Sequence, residues 1–249
     1  MRVLLTNDDG IHSAGLKALA DACLERGHTV TVCAPASQQS AASQRITITA
    51  PLMVRSVPWE GAKAWAVQGS PADCARLGLR LAEEPVDFVL SGINDGFNAG
   101  AAVYYSGTVA AAREARMNGK RAMAVSVDFR AAAEVLAYLA RLAVRLAEPL
   151  AEKEWPGGRI LNLNAPNLPP EQWKPLRTAP LSEAFFLDTY DRRVSPRGQI
   201  YYWLGEGMET ESHRPDTDMD LLGKGHPVLT LLGGWNDDGA WIERNMPEL

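Results

Sequence analysis

Apolar residues recur along this chain with two different periods. "RVLLT" (2–6) is a short apolar run of strand length. Behind it, Leu16, Leu19, Ala20, Cys23 and Leu24 fall at the spacing of one apolar stripe on a helix. Gly27 suits the C-terminal stop of that helix, and "TVTVCA" (29–34) returns to a strand pattern. Strand, helix and strand in so short a span predict two parallel strands joined by a right-handed crossover.

The alternation continues. "AWAVQ" (64–68) reads as a strand and "SPADCARLGLRLA" (70–82) as a helix, with Ser70 as cap, Pro71 in the first turn and Asp73 completing a capping box. "VDFVLS" (86–91) is the next strand and "SGTVAAAREARMNG" (106–119) the next helix. "RAMAVSV" (121–127) is a strand, a long helix is expected over about 130–151, and "RILNLN" (159–164) reads as the last core strand. The predicted fold class is α/β: a Rossmann-like three-layer core, with a mainly parallel sheet covered by helices on both faces.

Past residue 165 the pattern changes. Prolines cluster in "APNLPPEQWKP" (165–175), and "QIYYWLG" (199–205) and "HPVLTLL" (226–232) are strand candidates. The expected division is a catalytic core over 1–165 and a C-terminal extension over 166–249, the latter with a β-hairpin arm suited to assembly.

Composition narrows the partners. With 46% hydrophobic residues and a net charge of -5, the chain has the make-up of a globular protein without the basic field that attracts a nucleic-acid polymer. No apolar run approaches the roughly 18 to 20 residues of a membrane span, and none near Met1 resembles a signal peptide. Cys23, Cys33 and Cys74 are odd in number, widely spaced and set in apolar patterns, so buried reduced thiols and a cytoplasmic location are expected.

Candidate chemistry gathers where strands end. In an open parallel sheet, ligands bind beyond the carboxyl ends of the strands. The segments there are "TNDDGIHSAG", "PASQQSAASQ" (35–44), "GSPAD" (69–73) and "SGINDGFNAGAAVYYSGT" (91–108), rich in Asp, Asn, Ser, Thr and Gly. Asp8 and Asp9 are adjacent carboxylates that repel. Either a hard divalent cation compensates for their proximity, or one caps the next helix while the other sits solvated in a turn. Ser106, Gly107 and Thr108 open a helix whose free N–H groups suit a phosphate, although Ser and Thr are also ordinary caps. Beside a carboxylate pair at the same sheet edge, the phosphate reading is favoured. His12 and His28 are isolated, and "RRVSPRG" (192–198) reads as a solvated turn.

The motifs "LLTNDDGIHSAG", "APASQQSAAS", "GSPADC", "SGINDGFNAG" and "YSGTVAAAREA", with "LNLNAP" and "DTDMDLL" matching less tightly, resemble the SurE family (stationary-phase survival protein). These are metal-dependent 5′-nucleotidases with a Rossmann-like core. The resemblance implies one divalent cation per subunit, Mg²⁺ or Mn²⁺, held by Asp8, Asp9, Ser40 and Asn94, and phosphate contacts from Asn98, Ser106, Gly107 and Thr108. It implies hydrolysis of nucleoside 5′-monophosphates and, in some members, 3′-monophosphates or short polyphosphate. The catalytic pair would be Asp8 and Asp9, one of them taking a proton from the attacking water. It also implies a homodimer or homotetramer with exchanged C-terminal arms. Competing readings are an exopolyphosphatase or broad acid phosphatase on the same site, or a non-catalytic nucleotide-binding module. Ala41 and Asp216 stand where the family usually carries glycine. A second "NDDG" (236–239) lacks the accompanying loops and is expected to be a turn.

Overall fold

A computed structural model describes residues 1–155, 157–183, 186–187, 189–205, 208–209 and 214–233. The first strand, β1 (Arg2–Thr6), leads through α1 (Ala14–Glu25) to β2 (Thr29–Pro35). After β3 (Met53–Val57) and β4 (Ala62–Gln68) come α2 (Pro71–Leu81), β5 (Phe88–Asp95), α3 (Gly107–Met117), β6 (Arg121–Val127), α4 (Ala133–Ala147) and β7 (Ile160–Ala165). The extension adds β8 (Arg177–Thr178), β9 (Phe186–Leu187), β10 (Tyr190–Val194), β11 (Ile200–Leu204), β12 (Met208–Glu209), α5 (Asp218–Gly223) and β13 (Val228–Leu232).

Nine strands form the central sheet in the order β3-β4-β2-β1-β5-β6-β7-β13-β8. The run from β4 to β7 is parallel throughout. Alternation along β1 explains the layers: Val3 and Leu5 pack in one core with Leu16 and Leu19 of α1 and Leu139 of α4. Leu4 points the other way, into a core with Cys33, Cys74 and Val109. Both faces of the strand are therefore buried, as its unbroken apolar run requires. All three cysteines are buried free thiols.

Several boundaries follow local chemistry. Ser70 and Asp73 form the expected capping box, with Asp73 N–H donating to Ser70 Oγ at 3.1 Å and Ser70 N–H to Asp73 Oδ2 at 3.0 Å. The helix expected over 130–151 is shorter. Arg130 has a left-handed φ of 59°, and a 3-10 turn over Glu148–Leu150, containing Pro149, follows Ala147. The strand expected over 86–91 runs on to Asp95, through an irregularity between Ser91 and Asn94. At Gly92, φ is 139° and an added Cβ would collide with the carbonyl oxygen of Val125. Only glycine lets β5 pass β6 there.

One strand escapes the periodicity, and the sheet extends past the strand expected to end it. β3 pairs antiparallel at the sheet edge and exposes all its residues except Val57, so it carries no buried run to detect. β7 is not the last strand of the sheet, because β13 pairs antiparallel beside it and β8 beyond that. The hairpin of β10 and β11 stands apart as its own two-stranded sheet, with every side chain exposed.

Candidate active site

The order β2-β1-β5 means that the chain leaves β1 toward one side of the sheet and later returns on the other. A crevice opens at such a switch point, beyond the carboxyl ends of β1 and β5. The NDDG segment of residues 7–10 lies there. Its organiser is Asn7, fully buried, whose Nδ2 donates to the Gly10 carbonyl at 3.0 Å and to Ser13 Oγ at 2.7 Å. Gly10 N–H donates back to Asn7 Oδ1 at 3.2 Å. Neither aspartate caps α1, because Ser13 Oγ takes that role by accepting from Leu16 N–H at 3.3 Å. Both carboxylates are thus released from the turn.

Asp8 is 5% exposed, and its Oδ1 accepts from the Thr108 hydroxyl at the start of α3. Burial pushes its carboxyl above the usual aspartate range. The Thr108 hydroxyl and the backbone N–H groups of Asp8, Thr108 and Gly107 pull the other way without cancelling the effect. Gly107 packs so closely that an added Cβ would lie 2.8 Å from Asp8 Cβ and 2.9 Å from Pro71 Cγ. The N-terminus of α3 therefore faces a carboxylate of the chain itself.

Asp9 is half-buried. Burial, followed by the negative charge of Asp8, pushes its carboxyl up to about 6, against the Asp95 N–H that donates to its Oδ2 at 3.2 Å. Gln38 reaches Ser40 Oγ at 3.0 Å and Asp9 Oδ1 at 3.5 Å, and Gln39 N–H donates to the Asp8 carbonyl at 2.7 Å. The loop after β2 is thereby fastened to the NDDG turn. Asn94 precedes Asp95, and its Nδ2 donates to the Gly96 carbonyl at 2.8 Å, which leaves Oδ1 as its acceptor atom.

Of the residues singled out from sequence, Asp8, Gly107 and Thr108 meet directly, and Asp9 is linked to Ser40 through Gln38. Ser106 caps α3, accepting from Val109 N–H at 3.0 Å. Asn98 lies to one side, its Nδ2 donating to Ser126 Oγ at 2.8 Å and its N–H to Asn164 Oδ1 at 2.9 Å. Residues with no prominent sequence signal complete the arrangement. Asn7, Gln38 and Asp95 lie within the quoted loops but carry nothing to set them apart from their neighbours. Asp218 comes from the extension, and its buried carboxylate accepts from Gly100 N–H at 2.8 Å and Ser182 N–H at 2.6 Å. It clamps the glycine-rich loop after β5.

The donor set suits a hard cation. No lysine, arginine or histidine among the described residues pairs with Asp8 or Asp9, so two neighbouring carboxylates lack a positive partner. Nor do three or more His, Cys, Asp or Glu side chains gather as a metal cluster among the described residues. Ser40, joined to Asp9 through Gln38, and Asn94, next to the Asp95 that donates to Asp9, carry neutral oxygens of the kind that divalent magnesium or manganese accepts.

Fold and site together define a Rossmann-like α/β protein with an acidic, oxygen-lined crevice at its switch point. A family model described as "Survival protein SurE" matches residues 3–187. A protein named 5′-nucleotidase SurE from Solidesulfovibrio magneticus is 43% identical over 237 residues, covering 93% of this chain and 91% of its own length. Another so named, from Moorella thermoacetica, is 42% identical over 241 residues, covering 93% and 90%. The crystal structure of the SurE protein from Aquifex aeolicus superposes with a TM-score of 0.82 at 30% identity, covering 99% of this chain and 98% of that one. The chain belongs to the SurE family.

Membership throws light on two departures. Ala41 and Asp216, where the resemblance implies glycine, both hold left-handed backbone, with φ of 55° and 62°. That region costs a residue with a Cβ about 1–2 kcal/mol, a cost that glycine would not carry.

Proposed function

We propose that this chain is a hydrolase, a divalent-metal-dependent 5′-nucleotidase that cleaves nucleoside 5′-monophosphates to nucleoside and phosphate. The observation that carries the reading is the pair Asp8 and Asp9, both raised in pKa by burial and both without a cationic partner among the described residues. The matching proteins named 5′-nucleotidase SurE support the activity.

Asp8, Asp9, Ser40 and Asn94 would hold the cation, Mg²⁺ or Mn²⁺. Bound there, it would supply Lewis-acid polarisation of a phosphoryl oxygen. The chain's own residues do the rest. Thr108 holds Asp8 Oδ1 through its hydroxyl, and Asp95 holds Asp9 Oδ2 through its backbone N–H. Asp9 Oδ1, touched only by the long Gln38 contact, is the freer oxygen to accept a proton from an attacking water. Asn98 and Ser106 would supply neutral donors for the phosphoryl oxygens, beside the Gly107–Thr108 turn whose own donors hold Asp8. Such preorganised donors act where charge grows in the transition state.

The exposed aromatic hairpin of β10 and β11 supports a homodimer or homotetramer built through the C-terminal arm. Tyr202 and Trp203 are each 59% exposed, on opposite faces of the hairpin.

A panel of nucleoside 5′- and 3′-monophosphates, short polyphosphate and a generic aryl phosphate, assayed with Mg²⁺, Mn²⁺ or EDTA, tests the proposal. Expected is metal-dependent release of phosphate, fastest from a 5′-monophosphate. Hydrolysis unaffected by EDTA would overturn it, as would nucleotide binding without turnover.

A further inference from the structure

Beside the carboxylates lies a second polar cluster, made only of neutral side chains. In β7, the sequence "ILNLNA" alternates, so Asn162 and Asn164 share one face and Leu161 and Leu163 the other. The leucines join the core beneath α1 and α4. The asparagines are equally buried on the opposite face, where leucine would also fit an interior strand. Burying an amide costs about 1–3 kcal/mol unless hydrogen bonds compensate.

Their bonds converge on one residue. Asn162 Nδ2 donates to the Asn98 carbonyl at 2.7 Å, and Asn164 Nδ2 donates to the same oxygen at 3.1 Å. Asn164 Oδ1 accepts from Asn98 N–H at 2.9 Å. Both backbone groups of Asn98 are thus gripped by side chains from a single strand, as an adjacent strand would grip them through its main chain. One amide hydrogen of Asn98 goes to the buried Ser126 Oγ at 2.8 Å, and the other has no partner among the described residues. Asn162 Oδ1 has no partner among the described residues, so the donor end of this side chain makes its one recorded contact.

We propose that Asn164, with Asn162, is a positioning residue for the reaction, holding the main chain of Asn98 so that its free amide hydrogen meets the phosphoryl group. This rests on the reading of Asn98 as a phosphate contact. No member of the cluster ionises near neutral pH, so its geometry is independent of the protonation of Asp8 and Asp9. The cluster adjoins the proposed metal ligands only where Ser126 pairs with Asn94 along β5 and β6, and the side-chain hydrogen bonds of Asn162 and Asn164 go to the backbone of Asn98, so phosphate affinity and metal affinity are measured as separate readouts.

The experiment compares Asn164→Leu, Asn164→Ser and Asn98→Ala with the unaltered protein. It measures kcat and KM for a nucleoside 5′-monophosphate, the inhibition constant of inorganic phosphate, Mn²⁺ affinity by electron paramagnetic resonance, and thermal unfolding. Both Asn164 variants are expected to weaken phosphate inhibition by about tenfold or more, the scale of one lost hydrogen bond to a charged group. Mn²⁺ affinity should stay unchanged, with Asn98→Ala matching or exceeding the loss. If Asn98→Ala weakens phosphate binding and folded Asn164 variants do not, the positioning role is overturned while the reading of Asn98 stands. If Asn98→Ala leaves phosphate inhibition intact, that reading fails and the inference with it. Should Asn164→Leu not fold, Asn164→Ser carries the comparison.

Discussion

The Thr108 hydroxyl donates to Asp8 Oδ1 across 100 residues of chain, tying the first helix turn of α3 to the segment that follows β1. Hydrogen bonds to charged groups contribute about 1.5–3 kcal/mol. Thr108→Val should therefore lower kcat/KM by about tenfold or more, with the fold retained by circular dichroism. Asp8→Ala should abolish metal-dependent hydrolysis altogether. Full activity in either variant would contradict the site.

The elevated carboxyl of Asp9 implies a pH dependence of metal binding. Below about 6 Asp9 holds a proton that a cation must displace, and above it the carboxylate is free. Mn²⁺ affinity at fixed ionic strength should rise with pH up to that value and then level off. Below it the loss should approach about tenfold per pH unit, as for one competing proton. A calorimetric titration giving the same affinity at pH 5 and pH 7 would remove the basis for this assignment.

Gly107 and Ala41 make opposite predictions. Gly107→Ala would press a methyl group against Asp8 and Pro71, and overpacking of this kind costs about 1–3 kcal/mol. Loss of activity and a lower unfolding midpoint are expected together. Ala41→Gly relieves a left-handed φ of 55° but adds unfolded-state freedom worth about 0.4–1 kcal/mol. Stability should change by less than about 1 kcal/mol, with kcat intact, as judged by urea unfolding and steady-state assay.

The hairpin bears on assembly. Replacing Tyr201 and Trp203, exposed neighbours on one face of β11, with serine should lower the sedimentation mass while leaving far-ultraviolet dichroism unchanged. An unchanged mass would place the subunit contact elsewhere.

The repeated tetrapeptide offers an internal control. Residues 236–239 lie outside the described residues, and the expectation of a simple turn stands on their sequence context alone. Asp237→Asn and Asp238→Asn should leave turnover nearly unchanged. A loss comparable to that of Asp8→Asn would mean the second copy takes part in catalysis.

How much was legible follows from where each signal arises. Apart from β3, the strands and helices from β1 to β7 declared themselves because each buries an unbroken or periodic apolar face, and the Ser70 capping box is a purely local device. β3 was invisible because four of its five residues face solvent. β13 was legible as a strand but not as part of the central sheet, since antiparallel pairing with β7 is a long-range fact. At the site, adjacent carboxylates and a Ser-Gly-Thr helix start drew notice by charge and by capping chemistry. Ser40, Asn94 and Asn98 needed the family resemblance, since a lone neutral side chain in a polar loop looks like its neighbours. Asn7, Gln38 and Asp218 act through contacts that no local pattern records.

The pleat of β1 carries one last consequence. Leu4 and Leu5 anchor opposite cores, and Asp8 follows only three residues later. Inserting or deleting a single residue in the strand would exchange the two faces and carry the aspartates out of the crevice in the same stroke. The position of the paired carboxylates is thus counted off by the hydrophobic interior. Variation in this enzyme has room in the loops around that fixed origin, and none in the origin itself.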